Sequence, residues 1–400
     1  MKNIFPGYYK KSDEDLKRIW DNGIILFDTN VLLNLYRYSD TTRETIIDLI
    51  KKLSKKIALP HQSALEYNRN RYEVIAEQEK AYKEFLDKIA QIQKDLQSTS
   101  KPPFLSKKID TELNSVFKDV RNEVEENIKK YCDFLMEDPI FEDLTDIFNE
   151  KISDAFTSEE LEEIYKEGEI RYKSKTPPGF EDEKNKEGVR KFGDLILWKQ
   201  VLQIACKQKK DIILITDERK IDWWWKIKDG RNMGPRQELV EEIKLNAGVD
   251  FHMYSSERFI SYGQTYLKQK IDQKAIKEIQ AMKQAELESI KELEKINFIR
   301  RKKISNLNVD LRTKIESLDN EIDLLSEHID SLRNNKEFDF ENADLAKFHI
   351  DQLASKRNEL QSDRKNLMSE YRFNKERMFK YKSMEDEKYF KFKNRDNDKQ

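Results

Sequence analysis

Cysteine is nearly absent from this chain of 400 residues: only Cys132 and Cys206 occur, with no CxxC spacing. That excludes a thiolate zinc site and a disulfide framework. Histidine is as sparse. His61, His252, His328 and His349 are scattered, form neither an HExxH helix nor a triad, and read as structural. No apolar run approaches the length of about 18 residues that a membrane span requires, and the N-terminal stretch Met1–Gly7 lacks an apolar core of secretory length. The expectation is a cytoplasmic protein with no membrane partner. Net charge is missing too: 75 Lys and Arg against 77 Asp and Glu leave −2. A uniformly basic nucleic-acid binder is thereby disfavoured, whereas local basic patches are not.

Charge itself is abundant, at 38% of residues against an average of about 25%. The excess is uneven. Residues 24–60 and 192–262 have globular composition, and the chain beyond 266 alternates Lys and Glu with scattered Leu and Ile. The length favours a core domain with an appended part. Ser12 with Asp15 makes a capping box for a short helix, and Asn22-Gly23 turns into a strand at Ile24–Phe27. Ile46, Ile47, Leu49, Ile50 and Leu53 recur at helical spacing, and a second strand follows at 56–60, completing a βαβ unit. A helix from about 61 to Gln97, further helices over 105–137 and 157–173, and the break at 98–103 form a helical insertion, about 68–175. The stripe Leu195, Trp198, Val201, Leu202 and Ala205 marks a helix packed on a sheet. Strands at Ile212–Ile215 and Val249–Tyr254 flank a helix at 236–245. Alternation of strand and helix predicts an α/β fold, a three-layer sandwich with a parallel central sheet.

Four acidic positions stand out. Asp28 and Asp217 each end an apolar strand abruptly, Glu66 lies early on the helix after Pro60, and Asp194 follows Gly193. An apolar parallel strand closed by a carboxylate points that group into the crevice where open α/β sheets bind ligands. Several such carboxylates suit Mg²⁺ or Mn²⁺ and the in-line displacement of a phosphodiester. Thr29, Asn30 and Thr216 are candidate donors to these acids or to substrate. Asp182 and Asp222 are accessory candidates. Each acid also has a plainer reading: Asp28, Asp217 and Asp194 as turn or N-cap residues, and Glu66 as a solvated helical glutamate. Trp223, Trp224 and Trp225 are candidates for stacking on bases, with core packing favoured for two of them. Lys220, Lys226, Lys228, Arg231 and Arg236 around them are candidate phosphate contacts.

Beyond Tyr266 the chain runs without Pro or Gly, and Ile304, Leu311, Ile315, Leu318, Ile322, Leu325, Ile329 and Leu332 fall mostly into heptads. After an interruption at 334–340, Leu353, Leu360 and Leu367 resume the spacing. The simplest arrangement is an antiparallel coiled-coil hairpin over 266–380, on the order of 90 Å long at 1.5 Å per residue. Two intermolecular coils are the alternative. A coiled coil implies a homo-oligomer or a protein partner. Residues 381–400 read as a charged, aromatic tail with the composition of disorder.

Phe27-Asp28-Thr29-Asn30, Pro60 leading to Glu66, Pro177-Pro178-Gly179-Phe180 followed by Gly193-Asp194 and Trp198, and Ile215-Thr216-Asp217 leading to Asp222-Trp223-Trp224 together resemble a PIN-like nuclease. The branch resembled carries a long helical insertion between its second and third acids, and the resemblance covers about residues 1–263. It implies Asp28, Glu66 and Asp194 as ligands of a divalent metal; the family's fourth acid, two residues after the Thr, corresponds to Glu218, yet Asp217 directly ends the strand and is favoured, with Glu218 as the alternative. It also implies a metal-dependent nuclease on a nucleic-acid substrate, RNA favoured over DNA, with a toxin or phage-defence role. The competing readings are a catalytically silent platform for assembly through the coiled coil and a structure-specific DNase.

Overall fold

The computed structural model describes residue 1 and residues 4–97, 104–184, 186, 188–334 and 343–393. The expected break at 98–103, the expected interruption at 334–340 apart from Asn334, and residues 394–400 of the expected tail lie outside the described residues.

Asp28 and its neighbours are positioned by a four-stranded sheet of order β2-β1-β3-β6, all parallel, comprising β1 (Ile24–Phe27), β2 (Ile57–Ala58), β3 (Ile212–Ile215) and β6 (Phe251–Tyr254). Central β1 and β3 are buried at every position because helices cover both faces. Side chains alternate between those faces. Ile25, Phe27, Ile213 and Ile215 join one core with α2 (Thr29–Leu33), α3 (Asp40–Lys52) and α10 (Ser256–Tyr266). Ile24, Leu26, Ile212 and Leu214 join another with α8 (Gly193–Gln208) and α9 (Gln237–Ala247). Each such buried side chain contributes about 1.5–3 kcal/mol. The expected three-layer α/β sandwich is therefore present.

The capping boxes at Ser12–Asp15 and Thr157–Glu160 both form, opening α1 (Asp13–Asn22) and α7 (Ser158–Lys173). The insertion consists of α4 (His61–Leu96), α5 (Lys107–Asp133), α6 (Pro139–Phe148) and α7. A buried polar knot ties it to the core: Tyr36 donates to Asp138 at 2.5 Å, Tyr67 lies 2.7 Å from Tyr36, and Arg71 pairs with Asp138. The antiparallel hairpin of β4 (Trp224–Lys226) and β5 (Asn232–Pro235) has no counterpart in the sequence reading, since strands this short show no periodicity.

One compact unit spans Met1–Ala285 and a second Glu286–Phe392. The expected boundary near 265 is displaced because the first turns of α11 (Gln273–Asn334) belong to the sheet unit: Ala275 and Ile279 are fully buried in its core. In the second unit, α11 and α12 (Ala343–Lys393) pack antiparallel, with Arg364 paired to Asp319, Lys356 near Glu321, and Asn308 near Met378. Ile304, Leu311, Ile315, Ile322 and Ile329 form the buried seam. The hairpin is thus made within one chain, and α12 continues through Lys393, across the expected start of the tail at 381. Among the described residues no helix is long and apolar enough to cross a membrane.

Candidate active site

Asp28 sits where β1 ends and caps α2, its Oδ1 accepting from Thr29 N at 2.7 Å. Its Oδ2 accepts from Asn30 Nδ2 at 2.7 Å and Thr216 Oγ1 at 2.6 Å. The cap reading and the site reading coexist here. Glu66, on the second turn of α4, is held by Gln62 Nε2 at 2.6 Å and Thr29 Oγ1 at 3.2 Å. A Cβ on Gly193 would lie 3.0 Å from Glu66 Oε1, so the glycine opening α8 lets this glutamate approach. Asp194 accepts from Lys220 Nζ at 3.1 Å and Trp223 Nε1 at 3.2 Å.

The chain after β3 sorts its two acids by side. Side chains of an extended segment alternate, so Thr216 and Glu218 share one side and Asp217 takes the other. Glu218 N donates to Thr216 Oγ1, and Glu218 Oε1 accepts from the backbone of Arg219 and Lys220 at 2.6 and 2.9 Å. Asp217 turns to the start of α10. It accepts from Ser256 N at 3.0 Å, Ser256 Oγ at 2.5 Å, Asn34 Nδ2 at 3.2 Å and Lys283 Nζ at 2.7 Å. Burial opposes its ionisation, yet Lys283 and the Ser256 donors hold it below the usual carboxylate range.

Asp28, by contrast, is pushed up to about 8 by burial, against the Thr216 hydrogen bond, and by the nearby charges of Asp194, Glu66 and Glu218. Burial also raises Glu66 and Glu218, the latter with Asp194 adding to it. These four carboxylates repel one another in a desolvated pocket. Glu66 gains most relief from Lys186.

At the centre lies Lys220, 1% exposed, where the sequence reading placed a phosphate-binding surface lysine. Its Nζ is 2.7 Å from Asp182 Oδ1, 3.1 Å from Asp194 Oδ2 and 3.4 Å from Glu218 Oε2. Burying an ammonium costs several kcal/mol, and three carboxylates offset it. Asp182, 0% exposed, also receives Lys186 at 2.9 Å, and the two lysines hold its carboxyl low despite burial. Asp222 receives Gly179 N at 3.0 Å and Glu181 N at 3.1 Å, and burial raises it to about 7. It therefore fixes the Pro177–Gly179 loop, whose Pro177–Pro178 bond is cis. Of the other cations, Lys226 caps the Arg219 carbonyl, Arg231 pairs with Asp229 and Arg236 with Glu238. Trp223 and Trp224 are buried, and half-buried Trp225 meets Tyr8 edge-on.

The donor chemistry suits a hard divalent cation, because Asp28, Glu66, Asp194 and Glu218 all present carboxylate oxygens. Their oxygens do not converge: among the described residues no three His, Cys, Asp or Glu side chains form a metal-holding group. The Lys220 ammonium supplies part of the compensating charge. Lys186, Lys283, Asn34 and Ser256 escaped the sequence reading, and Lys220 was given a surface role. The one available signal was Lys220 itself, a cation between two acids, Glu218 and Asp222.

An acidic crevice at the carboxyl ends of β1 and β3, in a parallel three-layer sandwich, defines a PIN-like protein. The family model described as a PIN like domain matches residues 24–239, more than half of the chain, and the chain belongs to that family, whose members are generally nucleases. No curated protein and no solved structure matches the chain.

Proposed function

We propose that the chain is a nuclease dependent on Mg²⁺ or Mn²⁺, acting on RNA in preference to DNA. The observation that carries this is the burial of Asp28, Glu66, Asp194 and Glu218 within mutual repulsion at the crevice. Glu218, not Asp217, is the fourth carboxylate, because the oxygens of Asp217 are engaged by Ser256, Asn34 and Lys283. A divalent ion held by this set would activate water and offset negative charge at the phosphate. Asn30 and Thr216 orient Asp28, and Gln62 and Thr29 orient Glu66. Trp223 fixes Asp194, and the backbone of Arg219 and Lys220 fixes Glu218. The RNA preference and the toxin or phage-defence role rest on the family resemblance. Association through the helical hairpin is supported by exposed Leu324, Leu345, Phe348 and Phe373, which the intramolecular seam leaves uncovered.

The test is incubation of labelled single-stranded RNA, transfer RNA, and single-stranded and duplex DNA with Mn²⁺, Mg²⁺ or EDTA. Asp28→Asn and Glu218→Gln should each lose at least about a hundredfold in cutting rate, the scale of a lost electrostatic contact to the reacting centre. Asp217→Asn should lose far less. Equal losses at 217 and 218 would restore Asp217 as a ligand.

The second reading, a catalytically silent platform, is favoured by one observation: the Lys220 ammonium already sits among Asp182, Asp194 and Glu218 and offsets part of their charge.

A further inference from the structure

A cavity of about 630 Å³ borders the carboxylates and has no role in the reading above. It opens between the N-terminal turn, the β4–β5 hairpin and β6, with Asp217 and Glu218 among its lining residues. Its volume is that of a small-ligand site. Two chemistries meet on its walls. The first is a ladder of rings: His252 lies 4.6 Å from Tyr254 at 77°, and Tyr254 lies 4.9 Å from Tyr262 at 37°. The second is positive charge, from exposed Arg258 and from Lys11, whose Nζ also lies 3.9 Å from Asp250. Both cations act on His252, whose imidazole burial pushes down to about 3, so the ring is neutral and offers one donor and one acceptor. Rings that stack, a neutral edge that hydrogen-bonds and flanking cations are the complement of a base joined to a phosphate.

We propose that this cavity binds one nucleotide of the strand being cut, its base against the half-buried rings of His252 and Tyr262, which buried Tyr254 holds in place from behind, and its phosphate between Lys11 and Arg258. The assignment rests on the nuclease reading, because Glu218 belongs to both the cavity and the carboxylate cluster. Occupancy by one nucleotide would carry the neighbouring phosphodiester toward Glu218. Single-stranded substrate follows, since a base paired in a duplex cannot leave its stack to reach the ladder without the cost of unpairing. A free mononucleotide acting as effector has the same chemistry, and the experiment separates the two.

Binding is measured on the full chain in EDTA, by anisotropy with labelled single-stranded RNA and DNA decamers and by calorimetry with AMP, GMP, CMP and UMP. Arg258→Gln and Tyr262→Ala should each weaken strand binding about tenfold, the scale of one lost stacking or phosphate contact. Lys166→Gln, exposed and outside the cavity, should leave it unchanged. Circular dichroism checks folding of the Tyr262 variant, and exposed Arg258 supplies the variant least able to disturb the fold. Strand binding equal in all variants overturns the proposal. Mononucleotide binding lost in the variants while strand binding persists makes the cavity an effector site and also overturns it. If strand binding weakens as expected but the wild type cuts nothing with Mn²⁺, the cavity stands and the nuclease reading falls. If the wild type cuts but the variants bind normally, the reverse holds.

Discussion

Asp28 illustrates how burial and function pull against each other at one residue. Its carboxyl, ordinarily near 3.8, is pushed up to about 8 in the fold. With the folded value raised, the native state holds the proton while the unfolded chain releases it, so metal-free stability falls as pH rises from about 4 to about 8. Thermal melts in EDTA should show that decline, and Asn at position 28, which carries no charge to desolvate, should flatten it and melt several degrees higher at pH 8. A wild-type melt that rises over the same window would contradict this account of the pocket. Lys220 is the opposite case, a buried cation whose removal takes the ammonium away from Asp194 and Glu218, while Asp182 keeps Lys186. Lys220→Met should cost about 3–5 kcal/mol in EDTA. If the cluster also accepts a divalent ion, Mn²⁺ should raise the melting temperature of this variant more than that of the wild type. Indifference of both to Mn²⁺ would favour the silent platform.

At the scale of elements, the sheet unit is closed by a helix that the heptads make look like part of the tail. Glu278 on α11 accepts from Ser39 N, Ser39 Oγ and Thr42 Oγ1 at the start of α3, and Asp272 accepts from Thr45 Oγ1. Ile279 is 0% exposed between them in the core. Ile279→Ala should therefore destabilise the sheet unit by about 2–5 kcal/mol, measured by denaturant unfolding, although it lies beyond the matched family region. A loss below 1 kcal/mol would mean that this stretch rests on the domain without supporting it. Lys283, one turn further, reaches both Asp217 and Glu257, so the same helix fixes the acid that faces away from the cluster. That contact explains why the strand-ending carboxylate, the favoured choice from sequence, is placed as a strut.

For the whole molecule, two compact units predict two unfolding events. Ile329 is fully buried in the hairpin seam, and Ile329→Asp places a charge there without a partner. Calorimetry should show the hairpin transition lost or shifted down while that of the sheet unit stays in place. A single transition that moves as one would show the units to be energetically coupled.

Much of this was legible in the chain. The strands announced themselves by apolar runs, α1 and α7 by their capping boxes, and the hairpin seam by its heptads, because each depends on neighbours within a few residues. The order of the acids along the chain, with Asp28 and Asp217 following apolar runs, was equally local. The helices α6 and α10 and the β4–β5 hairpin were missed, being short segments ordered by contacts remote in sequence. What the sequence determined by itself is a parallel α/β core bearing carboxylates, followed by long helices with heptad seams. Only the tertiary structure decided that Glu218 joins Asp28 while Asp217 meets Lys283, and that Lys220 lies buried among the acids. The reason is physical: a one-residue step reverses a side chain's direction, and a long cation settles where distant carboxylates lower its desolvation cost, which no local pattern records.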